Sequence, residues 1–172
     1  MQVGSLRESI IVALLIFKFG QENVDIEIPI TEAELDVRVH GKPISIKTLT
    51  SRGFAGVKLI WTVDAKSAFE FSKSYSPSCD IIFVHINWEN DGGFYYIPLE
   101  AQQEIYEELG REGYIKLPKP GTNPRGVELT GEALEALIRS ESTLKIDIHW
   151  KKEELTYNPV NRWVEMWQQD RI

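Results

Sequence analysis

Two carboxylates, a lysine and a serine hydroxyl fall close together in the segment 34–47, which reads ELDVRVHGKPISIK. Glu34 and Asp36 are two residues apart, so on an extended strand both side chains lie on the same face. Oxygen ligands suit Mg²⁺, and such an ion lowers the pKa of a bound water and neutralises charge on a phosphate. A lysine beside the carboxylates, such as Lys47, can orient that water and stabilise the phosphate anion. These residue types therefore predict a site for a divalent metal and a phosphate.

The run His40-Gly41-Lys42-Pro43 in the middle of this segment is typical of a turn. With Gly41 and Lys42 as its central residues, it predicts a hairpin whose opposed pairs are Asp36 with Lys47, Val37 with Ile46, Arg38 with Ser45 and Val39 with Ile44. The valines and isoleucines then form one apolar face, and the site residues lie on the other. The alternative is that Asp36 and Lys47 form only an ordinary cross-strand ion pair, worth a few tenths of a kcal/mol.

A helix, then a carboxylate on one strand, a β-turn and a lysine on the next strand resemble the PD-(D/E)XK nuclease superfamily. Within it, the segments ELDVRVHGKPISIKTLT and VKLIWTVDAKSAFEF are similar to type II restriction endonucleases, in particular the ThaI-like group. The resemblance covers residues 5–71. It implies an α/β/α nuclease core and a Mg²⁺-dependent hydrolysis of duplex DNA at a short palindrome, with Mn²⁺ able to substitute. Because cutting both strands at a palindrome needs two sites related by two-fold symmetry, a homodimer is expected.

The resemblance assigns roles to single residues of this chain. Asp36 matches the aspartate of the motif, which is the main metal ligand, and Lys47 matches the motif lysine. The main-chain carbonyl of Ile46 is expected to complete the inner metal shell. Ser45 stands where the motif has a second acid, and a hydroxyl cannot supply that charge. We therefore expect a carboxylate from elsewhere in the fold.

Two residues are candidates for this missing carboxylate. Glu34 lies on the same strand face as Asp36, and Glu8 lies on the first helix, from which members of the superfamily often present a glutamate. Glu8 also fits a capping box with Ser5, in which it would only bond the start of its own helix. Both assignments stay open on the sequence alone.

The elements that must position these residues follow from periodicity and turn signals. The first helix, 5–19, carries an apolar stripe of Leu6, Ile10, Leu14 and Phe17. Strands are predicted at 24–30, 35–39, 44–49, 57–63, 80–88, 94–99 and 144–150, with a turn at 90–93, and further helices at 64–74, 102–109 and 130–138. The tail, 157–172, has an aromatic stripe typical of a core or a dimer interface. This order predicts an α+β fold with a mixed central sheet flanked by helices.

Composition and charge limit the class of protein. The 172 residues carry 19 basic and 26 acidic side chains, a net charge of −7, which excludes a generally polybasic nucleic-acid binder. The single cysteine excludes a disulfide framework and a Cys-rich zinc module. The longest apolar run, 10–17, is too short to cross a bilayer and lacks a signal-peptide pattern. We expect one cytoplasmic domain, 1–172, with its catalytic core at 5–100 and its DNA-contacting elements at 113–172, and no membrane partner.

Two basic windows interrupt this acidic chain. Residues 37–63 hold five bases and no acid, and residues 113–127 hold three. Such windows mark either a solvated surface or a face that binds a polyanion. For the second case the predicted DNA contacts are Lys42, Arg52 and Lys58 near the site, and Lys116, Lys119, Asn123 and Arg125 in the loop 116–126. Arginine pairs with guanine and asparagine with adenine, although the loop can also be a plain proline-rich connection. The other functions considered are a repair or junction-resolving nuclease and a non-catalytic binding module.

Overall fold

A mixed six-stranded sheet lies at the centre of the computed structural model, which describes residues 6–29, 31–32, 34–62, 64–116, 126–153 and 158–169, without the side chains of Pro159, Arg162 and Trp163. The helices are α1 (Leu6–Phe19), α2 (Ala65–Ser74), α3 (Leu99–Tyr114), α4 (Gly131–Arg139) and α5 (Pro159–Gln169), with a 3₁₀ turn at Gln21–Asn23. The strands are β1 (Val24–Asp25), β2 (Val37–Val39), β3 (Lys42–Thr50), β4 (Val57–Ile60), β5 (Asp80–Ile86), β6 (Asp91–Ile97), β7 (Ile115–Lys116), β8 (Val127–Leu129) and β9 (Leu144–His149). The predicted α+β class with a mixed central sheet is confirmed.

The order of strands in the large sheet is β1-β2-β3-β5-β6-β9. Only β3 and β5 run parallel among these neighbours, because the chain crosses from one to the other through β4 and α2. All seven residues of β5 are buried, as expected for a central strand with both faces covered. A second, antiparallel sheet has the order β4-β8-β7.

The two faces of the large sheet pack differently. One face packs against α1. Leu15 of the helix lies in one cluster with the sheet residues Val37, Val39, Ile44 and Ile46. The other face carries the larger core, which includes Phe83, Tyr95, Tyr114 and residues of α4 and the small sheet. Because side chains alternate along a strand, Ser45 and Lys47 lie on this second face, away from α1.

The hairpin of β2 and β3 forms, but the register predicted from the sequence is wrong by two residues. Val37 lies opposite Ile44 and Val39 opposite Lys42, so the central turn residues are His40 and Gly41. Both have positive φ, 50° and 78°, as a two-residue type I′ hairpin turn requires. A shift of two residues keeps each side chain on its face, and the predicted apolar face is therefore confirmed.

Several predicted element bounds are corrected. β1 ends at Asp25 rather than at residue 30, and β4 ends at Ile60 rather than at residue 63. The predicted turn at 90–93 is wrong, because Gly92 and Gly93 lie inside β6 and the turn precedes Asp91. Gly92 is needed there since a Cβ would lie 2.6 Å from Nε1 of Trp150 and would also collide with the carbonyl oxygen of His85.

Two of the remaining helices begin at a capping side chain. Asp64 caps α2 by accepting from the N–H groups of Lys66 and Ser67, both at 3.1 Å, and Thr130 caps α4 through the N–H of Ala133. Helix α3 starts three residues earlier than predicted and continues to Tyr114, with a break at Gly110, where φ is 68°. None of the described helices is both long and apolar enough to span a membrane.

Candidate active site

Asp36 lies just before β2, where three groups of β3 converge on its carboxylate. Its Oδ2 accepts from the Ile46 N–H at 2.6 Å, lies 3.2 Å from Ser45 Oγ and lies 3.4 Å from Lys47 Nζ. Its own N–H donates to the Ile44 carbonyl at 3.1 Å. One carboxylate oxygen is thus fixed by main chain and side chain, while a third of the side chain stays exposed. Among the described residues, none donates to Oδ1, which leaves this oxygen for a ligand.

Lys47 brings its ammonium to this carboxylate from a mostly buried position, with 11% of its side chain exposed. In the observed register Val37 lies opposite Ile44, and Lys47 reaches the Asp36 carboxylate from farther along β3. The predicted proximity of Asp36 and Lys47 is therefore present, although the predicted direct pairing is not. An ammonium this close to a carboxylate that can bind a metal ion can also neutralise charge on a phosphate bound beside that carboxylate.

Ser45, in the place of the second motif acid, is fully buried. Its hydroxyl donates to the main-chain carbonyl of Glu34 at 2.6 Å, and the same oxygen lies near Asp36 Oδ2. The Ser45 hydroxyl contacts Glu34 and Asp36, the residues on either side of Leu35. It therefore holds segment 34–36 against β3. The structure thus gives Ser45 a positioning function rather than that of a charged ligand.

Glu34 is buried beside this cluster and is already hydrogen-bonded at both carboxylate oxygens. Tyr75 donates to Oε1 at 3.1 Å and Ser78 donates to Oε2 at 2.9 Å. Burial raises the pKa of Glu34, while the bonds from Ser78 and Tyr75 and the charge of Lys47 act in the opposite direction. Glu34 also lines an open pocket of about 450 Å³ next to the hairpin. In this arrangement Glu34 lies beside the Asp36 cluster, and both of its carboxylate oxygens bond Tyr75 and Ser78.

Tyr75 and Ser78 were not predicted from the sequence. They are 41 and 44 residues away from Glu34 along the chain, and no local motif links them to it. Neighbouring Cys79 is buried too, and burial raises the pKa of its thiol to about 12, so the thiol stays protonated. Only the packing of the segment after α2 against the hairpin shows that these residues belong to the site.

The carboxylates predicted as metal ligands do not all meet. Helix α1, which carries Glu8, packs on the face of the sheet opposite to Ser45 and Lys47. Within the described part of the chain, no three His, Cys, Asp or Glu side chains form a group that could hold a metal ion. Ser5, the other member of the predicted capping box, lies outside the described residues.

The donors that are present nevertheless suit a hard divalent ion. Asp36 offers Oδ1, and a strand residue directs its N–H and C=O toward the same neighbour, so the Ile46 carbonyl is directed to the Asp36 side of β3. One carboxylate and one carbonyl leave room for waters and phosphate oxygens, which Mg²⁺ retains in such sites. The residues therefore fit a divalent metal.

The predicted DNA-contacting residues are scattered over the surface. Lys42 is not beside Asp36, because its Nζ lies 3.4 Å from Asp80 Oδ2 on the α1 face, where Asp80 raises its pKa. Lys58 lies exposed on β4, and Lys116 forms an ion pair with Glu128 at 3.4 Å. Lys119, Asn123 and Arg125 lie outside the described residues.

Arg52 is exposed in the loop that directly continues β3. The loop is anchored by His85, whose Nε2 donates to the Ser51 carbonyl at 3.1 Å and whose ring packs on Phe54 at 4.8 Å between centroids. Burial lowers the pKa of His85, which keeps the ring neutral. The loop is thus fixed on the sheet while the Arg52 guanidinium points to solvent.

Comparison with known proteins extends the likeness to the whole chain. The sequence model described as "Restriction endonuclease ThaI" matches residues 1–169. A solved structure described as "Restriction endonuclease in complex with substrate DNA" is 56% identical, with a TM-score of 0.86, and the match covers 98% of this chain and 81% of that one. A search of curated proteins found no match.

Proposed function

The chain belongs to the ThaI restriction endonuclease family, and we propose from this premise that it cuts both strands of duplex DNA at one short palindrome with Mg²⁺. The resemblance inferred from its sequence is confirmed, since the chain is a type II restriction enzyme, an endonuclease that acts on DNA. Enzymes of this kind generally use a divalent metal ion. The identity of the metal, the palindrome, the homodimer and the roles of single residues are part of the proposal.

The contact that carries the proposal is the one between Lys47 Nζ and Asp36 Oδ2, at 3.4 Å. It joins a mostly buried cation to a carboxylate that the Ile46 N–H holds in place. An isolated surface ion pair contributes little to stability, and nothing in the core requires an ammonium next to Phe83. The arrangement suits a phosphate group, because the Lys47 ammonium lies beside Asp36, which is a ligand for a metal ion.

In this scheme Asp36 and the Ile46 carbonyl would hold the metal. When bound, the ion lowers the pKa of a water and neutralises charge on the phosphate. Lys47 directs its ammonium to the same point, where it orients the attacking water and stabilises the phosphate oxygens. Ser45 and Glu34 keep the chain around Asp36 in place, and Glu8 remains a candidate for the second carboxylate.

The partner is duplex DNA, as in the similar solved structure, which is described as a complex with its substrate DNA. We place Arg52, Lys58 and Lys116 among the contacts because they are exposed cations, and Lys42, Lys119, Asn123 and Arg125 as further contacts. Two copies of the chain supply one site for each strand. We place the enzyme in the cytoplasm, where cellular DNA is accessible to it.

The test is digestion of a supercoiled plasmid with Mg²⁺, with Mn²⁺ and with a chelator. We expect discrete fragments with either metal and none with the chelator. Cleavage of branched DNA alone would indicate a junction-resolving or repair nuclease, and an intact plasmid under all conditions would indicate a binding module.

Two variants assign the reaction to this site. Lys47→Ala and Asp36→Asn each remove one charge of the pair, and we expect cleavage to fall by at least about 10³-fold while DNA binding persists. Lys66→Ala removes an exposed lysine of α2 and serves as the matched control, with wild-type cleavage expected. Normal cutting by both site variants would show that the pair is only structural.

A further inference from the structure

The apolar stripe of α1 that the sequence predicts does not enter the core. Leu6, Ile10, Leu14 and Phe17 are between 50% and 87% exposed, while Leu15, on another side of the helix, packs against the sheet. A soluble helix that buries one side is expected to be polar on the other. A second apolar side therefore points to an interaction surface.

This stripe continues into a groove between α1 and the edge of the large sheet. The groove has a volume of about 640 Å³, and its lining is almost entirely apolar, with side chains that include Phe17, Phe19, Phe94, Tyr96 and Ile146. Leu144 and Ile146 on β9 are also about two-thirds exposed. Within the described part of the chain, no element covers this groove.

The area of this surface is large enough for a stable protein contact. Each exposed apolar side chain of the stripe and the groove contributes on the order of 100 Å², which gives a total of about 700 Å². The side chains counted are Leu6, Ile10, Leu14, Phe17, Phe19, Leu144 and Ile146. The largest apolar patch of a typical monomer is about 300–600 Å². A standard interface buries about 800 Å² on each partner.

Helix α5 of the same chain has an apolar side that no other element of the described residues covers. Val160, Val164 and Trp167 follow an i, i+4, i+7 spacing and are between 42% and 69% exposed. A neighbouring side of α5 is polar, with Asn161, Glu165 and Gln168 among its residues. This spacing is that of a helix that inserts into an apolar groove.

We infer that α5 of one copy packs its Val160–Trp167 side into the α1–β9 groove of a second copy, and that the second copy returns the same contact. The inference rests on the proposed homodimer and names its interface. Reciprocal exchange buries two grooves and two helices at once, which brings the total area into the range of stable dimers. Lys18 borders the groove and Glu165 lies on α5, so charges of opposite sign are available at the rim. The groove lies on the face of the sheet opposite to Lys47, so this contact leaves Asp36 and Lys47 uncovered.

The first test measures the mass of the DNA-free, full-length protein by sedimentation equilibrium. Phe17→Glu places a charge in the groove, and Trp167→Glu places one on the apolar side of α5. We expect the wild type to be a dimer at micromolar concentration and each variant to dissociate at least 100-fold more readily. Trp61→Glu is the matched control, because Trp61 is 60% exposed but lies on neither surface. Thermal unfolding checks that each variant is folded.

Mixing the two variants separates this interface from any other. A Trp167→Glu chain keeps an intact groove and a Phe17→Glu chain keeps an intact α5, so one of the two contacts is complete only in the mixed pair. Native mass spectrometry should show mixed dimers at concentrations where each variant alone is monomeric. A monomeric wild type, variants that remain dimers, or a mixture without mixed dimers would each overturn the inference.

Plasmid digestion on the same samples keeps the two proposals apart. A wild type that cuts DNA while both variants stay dimeric refutes the interface and leaves the function intact. A dimeric wild type that cuts no DNA, together with variants that dissociate as expected, supports the interface and refutes the function.

Discussion

At the scale of single residues, the site departs from the motif at Ser45, which stands in the place of the second acid. Ser45 is fully buried and bonds the Glu34 carbonyl, so the position contributes rigidity instead of charge. Glu34 is present nearby, but both of its carboxylate oxygens are engaged by Tyr75 and Ser78. Whether a second carboxylate is required is therefore a question about Glu8 and Glu34, and two conservative variants answer it.

Glu8→Gln and Glu34→Gln each keep the shape of the side chain and remove its charge. If Glu8 is a metal ligand, its variant should lose at least about 10²-fold in cleavage with little change in the free energy of unfolding. If Glu8 is only a helix cap, its variant should cut nearly normally and keep its stability, because glutamine fills the same position of a capping box. Cleavage rates and urea unfolding on the same preparations decide this. Wild-type cutting by both variants would remove both glutamates from the metal site.

Glu34 also predicts a pH dependence of stability. Burial raises its pKa above the ordinary 4.5, so the folded state binds the proton more tightly than the unfolded state. The cost of the buried charge is therefore present above the folded-state pKa and disappears as the pH falls to about 4.5. Relative to Glu34→Gln, the wild type should gain stability over this interval. Urea unfolding of both proteins at pH 7 and pH 4.5 measures the difference, and a constant difference would contradict the assignment.

At the scale of elements, close approaches of the backbone decide where strands begin and turns lie. β6 runs through Gly92 because the Trp150 indole, which donates to the His85 carbonyl at 2.7 Å, lies where a side chain would be. That contact joins β5 to the residue after β9 across β6. The same His85 anchors the Arg52 loop through its ring, so packing around Gly92 also supports the end of β3, the strand that carries Ser45 and Lys47.

Gly92→Ala should therefore destabilise the protein by about 1–3 kcal/mol, because the methyl group must displace Trp150 or the His85 backbone. Gly53→Ala is the control, since a Cβ at Gly53 meets no atom within 4 Å. Chemical denaturation of the two variants measures the effect. Equal stability of the Gly92 variant and the wild type would show that the indole moves aside without cost.

At the scale of the whole molecule, part of the positive charge is already neutralised by ion pairs. Ion pairs hold the cations Arg38, Lys42, Lys116, Arg139 and Lys145 against acids. With a net charge of −7, the body of the protein attracts DNA weakly, and binding depends on a few exposed cations. Such a balance limits non-specific binding in a selective nuclease.

Arg52→Ala should lower the slope of log Kd against log salt by about 1, because each phosphate contact with duplex DNA releases about 0.9 counterion. A loss that is equal for cognate and unrelated DNA indicates a phosphate contact, and a loss confined to the cognate sequence indicates base recognition. Fluorescence anisotropy titrations with Ca²⁺ in place of Mg²⁺ measure both. Lys66→Ala should leave the slope unchanged, and an unchanged slope for Arg52→Ala would remove this residue from the interface.

Local patterns in the sequence determined much of this protein. The turn composition and alternation around His40 predicted the hairpin and the sharing of one face by Asp36, Ser45 and Lys47. These features depend on contacts between near neighbours, which the order of residues encodes directly. The register of the hairpin did not follow, because a shift of two residues preserves both faces and the pattern fits either turn.

Only the tertiary structure decided which surfaces are covered. Tyr75 and Ser78 reach Glu34 across more than 40 residues, and the His85 anchor of Ser51 spans 34. The side of α1 that enters the core could not be read from its sequence, because nearly every side of that helix is apolar and periodicity alone does not rank them. Long-range packing chose Leu15 for the core and left Phe17 in solvent.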